Sequence, residues 1–218
     1  MKRLLFIFML VTGFVMLAPA QTVFVVEPAF GFGLGAQNYS YQTLTAEGTF
    51  STIYAWESGL RFSLYDFQED GFPLGVIVSA VYMWQELGYY NTLGREYSSD
   101  QIRVTAMASW PLIKGGGIMA VNAGVYYSHH FWGNYDGHNV TEENAVPSAD
   151  VLSGDIGLRL EYYFSFAFDY NQKEKKPELI GIGMYAFLDI NLVDITVLQD
   201  ENLTYWQFGI GFTIPIFL

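Results

Sequence analysis

The chain has no cysteine, few charges and, beyond its first segment, no long hydrophobic run. Each absence excludes something. Without cysteine there are no disulfides, no thiolate metal sites and no lipid-modified cysteine of the lipoprotein kind. Lys and Arg number only 10 against 22 Asp and Glu, a formal charge of −12, which speaks against nucleic acid as a partner. The longest later apolar stretch, "LGVIVSAVYMW", is about half of the roughly 20 residues that a spanning helix needs. If this chain crosses a bilayer, it does so with strands.

What is present begins with a leader. Lys2 and Arg3, an apolar run from Leu4 to Leu17, and Ala18-Pro19-Ala20 before Gln21 have the layout of a secretory signal peptide. The expected division is residues 1–20 as a cleaved signal and 21–218 as one domain. Losing Lys2 and Arg3 takes the formal charge from −12 to −14.

Period two governs the remainder. Eight alternating runs stand out: Thr22–Gly35, Phe50–Tyr65, Leu74–Gln85, Gln101–Leu112, Ile118–His130, Val151–Phe168, Leu179–Leu192 and Leu203–Leu218. In the last, Trp206, Phe208, Ile210, Phe212, Ile214, Ile216 and Leu218 alternate with small or polar residues. The connections after the odd-numbered runs are longer on average than those after the even-numbered ones. "HFWGNYDGHNVTEENAVPSAD", after the fifth, is the longest. Long loops on one side and shorter turns on the other mark a membrane β-barrel.

The charges sharpen this. When the more apolar parity of each run is assigned to one face, Glu27, Glu57, Arg61, Arg103, Asp155, Arg159, Glu161 and Asp189 all fall on the other. In a soluble barrel the apolar face would point inward. Here that face carries crowds of Trp, Phe and Tyr, too bulky for an eight-stranded interior, while the opposite face is rich in Gly, Ala and Ser. Trp56, Trp84, Trp110, Trp132 and Trp206 lie mostly toward run ends, where an aromatic girdle meets lipid headgroups. The expected fold is all-β: an eight-stranded antiparallel transmembrane barrel, an up-and-down meander.

On these runs the chain resembles the small eight-stranded outer-membrane barrels of the OmpX, OmpA transmembrane-domain and OmpW type. The resemblance implies a bacterial outer-membrane address with both termini periplasmic. It also implies contact with outer-membrane lipid and lipopolysaccharide, and delivery by the barrel-assembly machinery. That machinery reads an aromatic end preceded by alternating apolar residues; Leu218 departs from it, whereas Phe212, Ile214 and Ile216 keep the alternation. No cofactor and no catalytic residue is expected. The leading role is structural, or surface interaction through the extracellular loops with a partner the sequence does not name.

Other chemistries are weighed against that role. The eight inward charges must pair or meet water, and Arg61 with Glu57 and Arg159 with Glu161 or Asp155 share the required parity. An OmpW-like conduit for small apolar molecules would draw on Val23, Val25, Ile53, Ile77, Val81 and Met83. His129, His130, Asp136 and His138 gather in and beside the longest loop, yet their spacing matches no metal-ligand motif. Glu142 and Glu143 lie further along; acids in the outer loops suit Mg²⁺ or Ca²⁺ bridges to lipopolysaccharide phosphates, or a merely solvated face. A lipid A acyl hydrolase would need Ser128, His130 and Asp136 to act together, but Ser128 and His130 share the inward parity, away from lipid. "GFGLGA" has no helix after it to complete a phosphate loop, so its glycines are read as interior packing. Pro28 and Pro215 lie across the expected closure from each other, where a bulge or loosened pairing is expected.

The barrel reading is checked on a detergent gel. The folded protein should migrate differently before and after boiling. Identical migration, together with partition into buffer, would overturn it.

Overall fold

The computed structural model describes residues 22–41, 51–66, 74–88, 96–114, 117–132, 134–136, 146–147, 152, 154–171, 176–194 and 201–218. Its strands in chain order are β1 (Thr22–Tyr41), β2 (Ser51–Asp66), β3 (Leu74–Gly88), β4 (Glu96–Lys114) and β5 (Gly117–Trp132). Then come two short strands, β6 (Asn134–Asp136) and β7 (Val146–Pro147). The rest are β8 (Asp155–Asn171), β9 (Lys176–Asn191), β10 (Glu201–Thr213) and β11 (Ile216–Phe217).

Strands β1–β5, β8, β9 and β10 pair antiparallel in sequence order, and β1 pairs β10, so the sheet closes on itself. Closure leaves no edge of unpaired N–H and C=O groups, a condition that lipid imposes and water does not. Following inward-facing partners around the ring from Val25 through Ser63, Ile77, Met107, Gly124, Arg159, Asp189 and Gln207 returns to β1 at Gly35, ten residues along from Val25. A ring of eight staves with that stagger tilts its strands by about 35–45° and leaves an interior that side chains fill.

Several expectations change in detail: β1 runs on to Tyr41, past the expected end at Gly35, and β4 starts at Glu96, ahead of Gln101. The sixth run was read as starting at Val151, but its stave starts at Asp155. The long connection after the fifth run is not all loop, because β6 extends the β4 ladder through Tyr97–Tyr135 and β7 pairs with β6. These shifts arise at the rim, where apolar periodicity fades and only pairing defines the strand.

The prolines act where closure occurs. Pairing of β1 with the last stave lapses at Ile214 and Pro215 and resumes as Val26–Ile216 and Val25–Phe217. There is no bulge, because the register is the same on both sides of the gap. Ile214 N–H still reaches Pro28 O at 3.1 Å, and Pro215 O accepts from Gly181 at 2.9 Å. Leu218 N–H bonds Phe24 O at 2.8 Å, which ties the end of the chain to its neighbour.

Alternation then sorts the residues by face. Outside lies a continuous apolar belt that includes Phe32, Val104, Val125, Leu158, Leu160, Met184, Ile210 and Phe212, all exposed. Residues 67–73, 115–116 and 172–175 join staves at one rim; 42–50, 89–95, 133–154 and 192–200 join them at the other. Trp56, Trp84, Trp132 and Trp206 lie near the rim with the longer connections, and Trp110 near the opposite one. Trp56 packs at a tilt against Phe30 and Tyr82 at centroid distances of 6.3 and 5.1 Å, binding three staves together on the outer surface.

Leu160 stands about midway between the rims, opposite Ala123 and Leu188 on the outer face. In vesicles, urea unfolding of Leu160→Arg should show a loss of about 2–4 kcal/mol, against about 0–1 kcal/mol for Leu192→Arg at the rim. Equal and small losses would mean that this face does not meet hydrocarbon.

Candidate functional site: the charged interior

Inside the ring the small residues make room for large ones. On β10, a Cβ at Gly211 would collide with the Tyr185 ring. At Gly31, within "GFGLGA", it would stand 2.8 Å from Tyr185 Oη and 3.1 Å from Glu57 Cγ. These glycines leave room in the lumen for the Tyr185 ring and the Glu57 side chain. A second group, Val23, Val25, Tyr65, Ile118, Ala120, Tyr163 and Phe217, packs as an apolar floor at the rim of the short connections.

All eight predicted charges are buried inside the ring. They form one alternating column. Arg61 grips Glu161 with both terminal nitrogens at 2.6 and 2.9 Å, and its Nε lies 3.4 Å from Glu27. Arg159 grips Glu57 in the same way at 2.7 and 3.0 Å, with Glu161 at 3.6 Å and Asp189 at 3.7 Å from its Nε. Arg103 gives Nη1 to Asp189 at 2.6 Å, Nη2 to Tyr205 at 2.8 Å and Nε to Ser128 at 2.8 Å, with Asp155 3.6 Å away. The order runs Glu27, Arg61, Glu161, Arg159, Asp189, Arg103, Asp155, with Glu57 branching from Arg159.

The sequence paired Arg61 with Glu57, and the structure does not. Residues four apart on one strand are about 13 Å apart, beyond direct contact. Strands β2 and β8 lie opposite each other in the ring, and their long side chains meet across the lumen. Arg159 does approach Glu161, but its bidentate partner is Glu57. Such fork-to-fork pairing is the geometry guanidinium favours.

Uncharged groups complete the network. Tyr163 donates to Glu27, Tyr205 to Asp155, Asn191 to Asp155, and Tyr185 to Glu57 at 2.8 Å. Asn122 donates to Glu161 at 2.8 Å. An amide relay runs from Gln101 to Gln85 at 2.9 Å, on to Gln207 at 3.4 Å, and from Gln207 to Asp189 at 2.9 Å. The Arg103 guanidinium lies 4.0 Å from the Tyr126 ring centroid and that of Arg159 lies 4.2 Å from Phe187. The sequence reading singled out charges alone. These tyrosines and amides carry the same parity, which was the signal that would have found them.

The remaining candidates do not gather among the described residues. His129 points outward and His130 inward, as adjacent strand residues must, so they cannot hold one ion together. Asp136 is described only in its backbone, and His138, Glu142 and Glu143 lie outside the described residues. His130 bonds Ser99, with Nδ1 2.6 Å from Oγ, while Ser128 Oγ accepts from Arg103. Of the five tryptophans, Trp132 is the most exposed, and Trp56 and Trp84 are half-buried among neighbours on the outer face.

Fold and interior together define an eight-stranded antiparallel barrel, apolar outside and ionic within. In plan the chain resembles small outer-membrane barrels. Neisserial surface protein A aligns over 88% of this chain and 96% of its own, with 10% identity and a TM-score of 0.41. Ail of Yersinia pestis, solved with the heparin analogue sucrose octasulfate, aligns over 86% and 98%, with 12% identity and a TM-score of 0.36. The N-terminal barrel domain of Pseudomonas aeruginosa OprF aligns over 85% and 97%, with 12% identity and a TM-score of 0.27. No protein-family model and no curated protein matches the chain. At these scores the likeness carries no detail, and the architecture rests on the strand register itself.

Removing one member of the column should cost more than removing a pair. Arg159→Met strands Glu57 and should destabilise the barrel by about 3–5 kcal/mol. Arg159→Met with Glu57→Met should recover most of that loss. Additive losses in urea unfolding would show that the two residues do not act as a unit.

Proposed function

We propose that this chain is a sealed barrel of the bacterial outer membrane with a structural or surface-interaction role. In this reading residues 1–20 are removed on export, both termini face the periplasm, and the longer connections face outward. The belt of exposed aliphatic and aromatic side chains supports a lipid setting, because water would leave it as one very large apolar surface. Lipid and lipopolysaccharide are then the partners of the outer face, and the barrel-assembly machinery the partner of the last stave.

One observation carries the sealed state. Arg61 reaches Glu161, Arg159 reaches Glu57 and Arg103 reaches Tyr205, each across the ring between opposite staves. Side chains that span the lumen at several levels obstruct an aqueous path, which supports this reading. The apolar wall formed by Ile77, Val81, Met83 and Met107 is the remaining support for a conduit, but all four are buried against this plug. A hydrolase reading has less support, since Ser128 is engaged by Arg103 and His130 by Ser99.

Planar-bilayer recording tests the proposal. The refolded protein should give no stable conductance, and Arg103→Ala with Arg159→Ala should raise leakage. Discrete, long-lived conductance steps from the unaltered protein would replace the sealed barrel with a pore.

A further inference from the structure

The loop-side end of the column leaves polar atoms unused. Gln101 on β4, His130 on β5, Asp155 on β8 and Asn191 on β9 occupy four consecutive staves. Gln101 and His130 are direct partners in their ladder. Asp155 lies opposite Ser128, one inward position below His130, and Asn191 donates to Asp155. All four residues are buried. Gln101 Oε1, His130 Nε2 and Asn191 Oδ1 have no hydrogen-bond partner. Buried polar atoms are rarely left so, and three along one wall point to a missing donor. In the tautomer that donates Nδ1–H to Ser99, His130 Nε2 keeps a free lone pair and all three atoms are acceptors.

Charge supplies the second half. The lumen holds Glu27, Glu57, Asp155, Glu161 and Asp189 against Arg61, Arg103 and Arg159, and Asp155 ends the column. Its nearest guanidinium nitrogen is 3.6 Å away and donates to Tyr205 instead.

We propose that this crescent binds a small protonated primary amine entering from the loop side. An alkylammonium head presents three N–H donors and one positive charge, matching three free acceptors beside one carboxylate. A coordinating metal is served less well. The crescent offers one imidazole and one carboxylate, and among the described residues no three His, Asp or Glu side chains gather. Leu203, two residues before Tyr205, and Leu152, three before Asp155, are both buried toward the loop side and offer an apolar wall to the amine's stem. The site does not depend on what the loops recognise or on whether the barrel conducts.

The test uses the refolded full-length barrel in detergent, reading the temperature at which its folded band is lost. Methylammonium should raise that temperature saturably. At about 100 times its dissociation constant it multiplies the folding constant roughly 100-fold. Tetramethylammonium at equal ionic strength, with the charge but no N–H, should not. Gln101→Met removes Oε1 while keeping side-chain length, and should raise the half-saturating methylammonium concentration roughly 10-fold. Asp155→Asn should abolish the shift if it folds. Equal shifts with both cations, no shift with either, a shift with Mn²⁺ or Zn²⁺ alone, or an unchanged response in Gln101→Met would each overturn the proposal.

Discussion

The alternating column from Glu27 to Asp155 is the interaction on which the rest of the interior depends. A carboxylate or guanidinium taken out of water is tolerated only with a counter-charge and enough hydrogen bonds. No charge here finds both on its own strand. Glu27 meets Arg61 on the adjacent stave, but Arg61 with Glu161 and Arg159 with Glu57 meet across the lumen, so the ring must be narrow enough for opposite side chains to touch. It must also be free of bulk where they cross. Gly31 and Gly211 supply the free space, and Tyr163, Tyr185 and Tyr205 donate to Glu27, Glu57 and Asp155.

In the proposed lipid setting the outside obeys a simpler constraint. Lipid offers no hydrogen bonds, so the backbone must be paired within the sheet, and the sheet must close. The closure runs through Pro28 and Pro215, the weakest chemistry available for a seam. It survives because the register is kept on both sides and because Ile214 and Leu218 still donate to β1. Apolar alternation on the outer face and small residues on the inner face are two readings of the same period.

Much of this was legible from the residues in order. Alternation gave eight staves nearly in place, since a period of two survives any tilt or twist of the strand. Parity put Arg61, Arg103, Arg159 and the five acids on a common face before any partner was known. What did not come through was pairing. Arg61 and Glu57 look like neighbours along the chain and are not. Arg61 and Glu161, a hundred positions apart, grip each other. Similarly, His129 and His130 look like one site, yet the pleat sends them to opposite faces, and His130 instead joins Ser99 and faces Gln101.

The sequence by itself therefore determined the period, the faces and the number of staves, because these depend only on which side of a strand each residue occupies. The tertiary structure alone decided which charges meet. That choice depends on the ten-residue stagger of the ring and on which staves stand opposite, quantities that exist only once the sheet has closed.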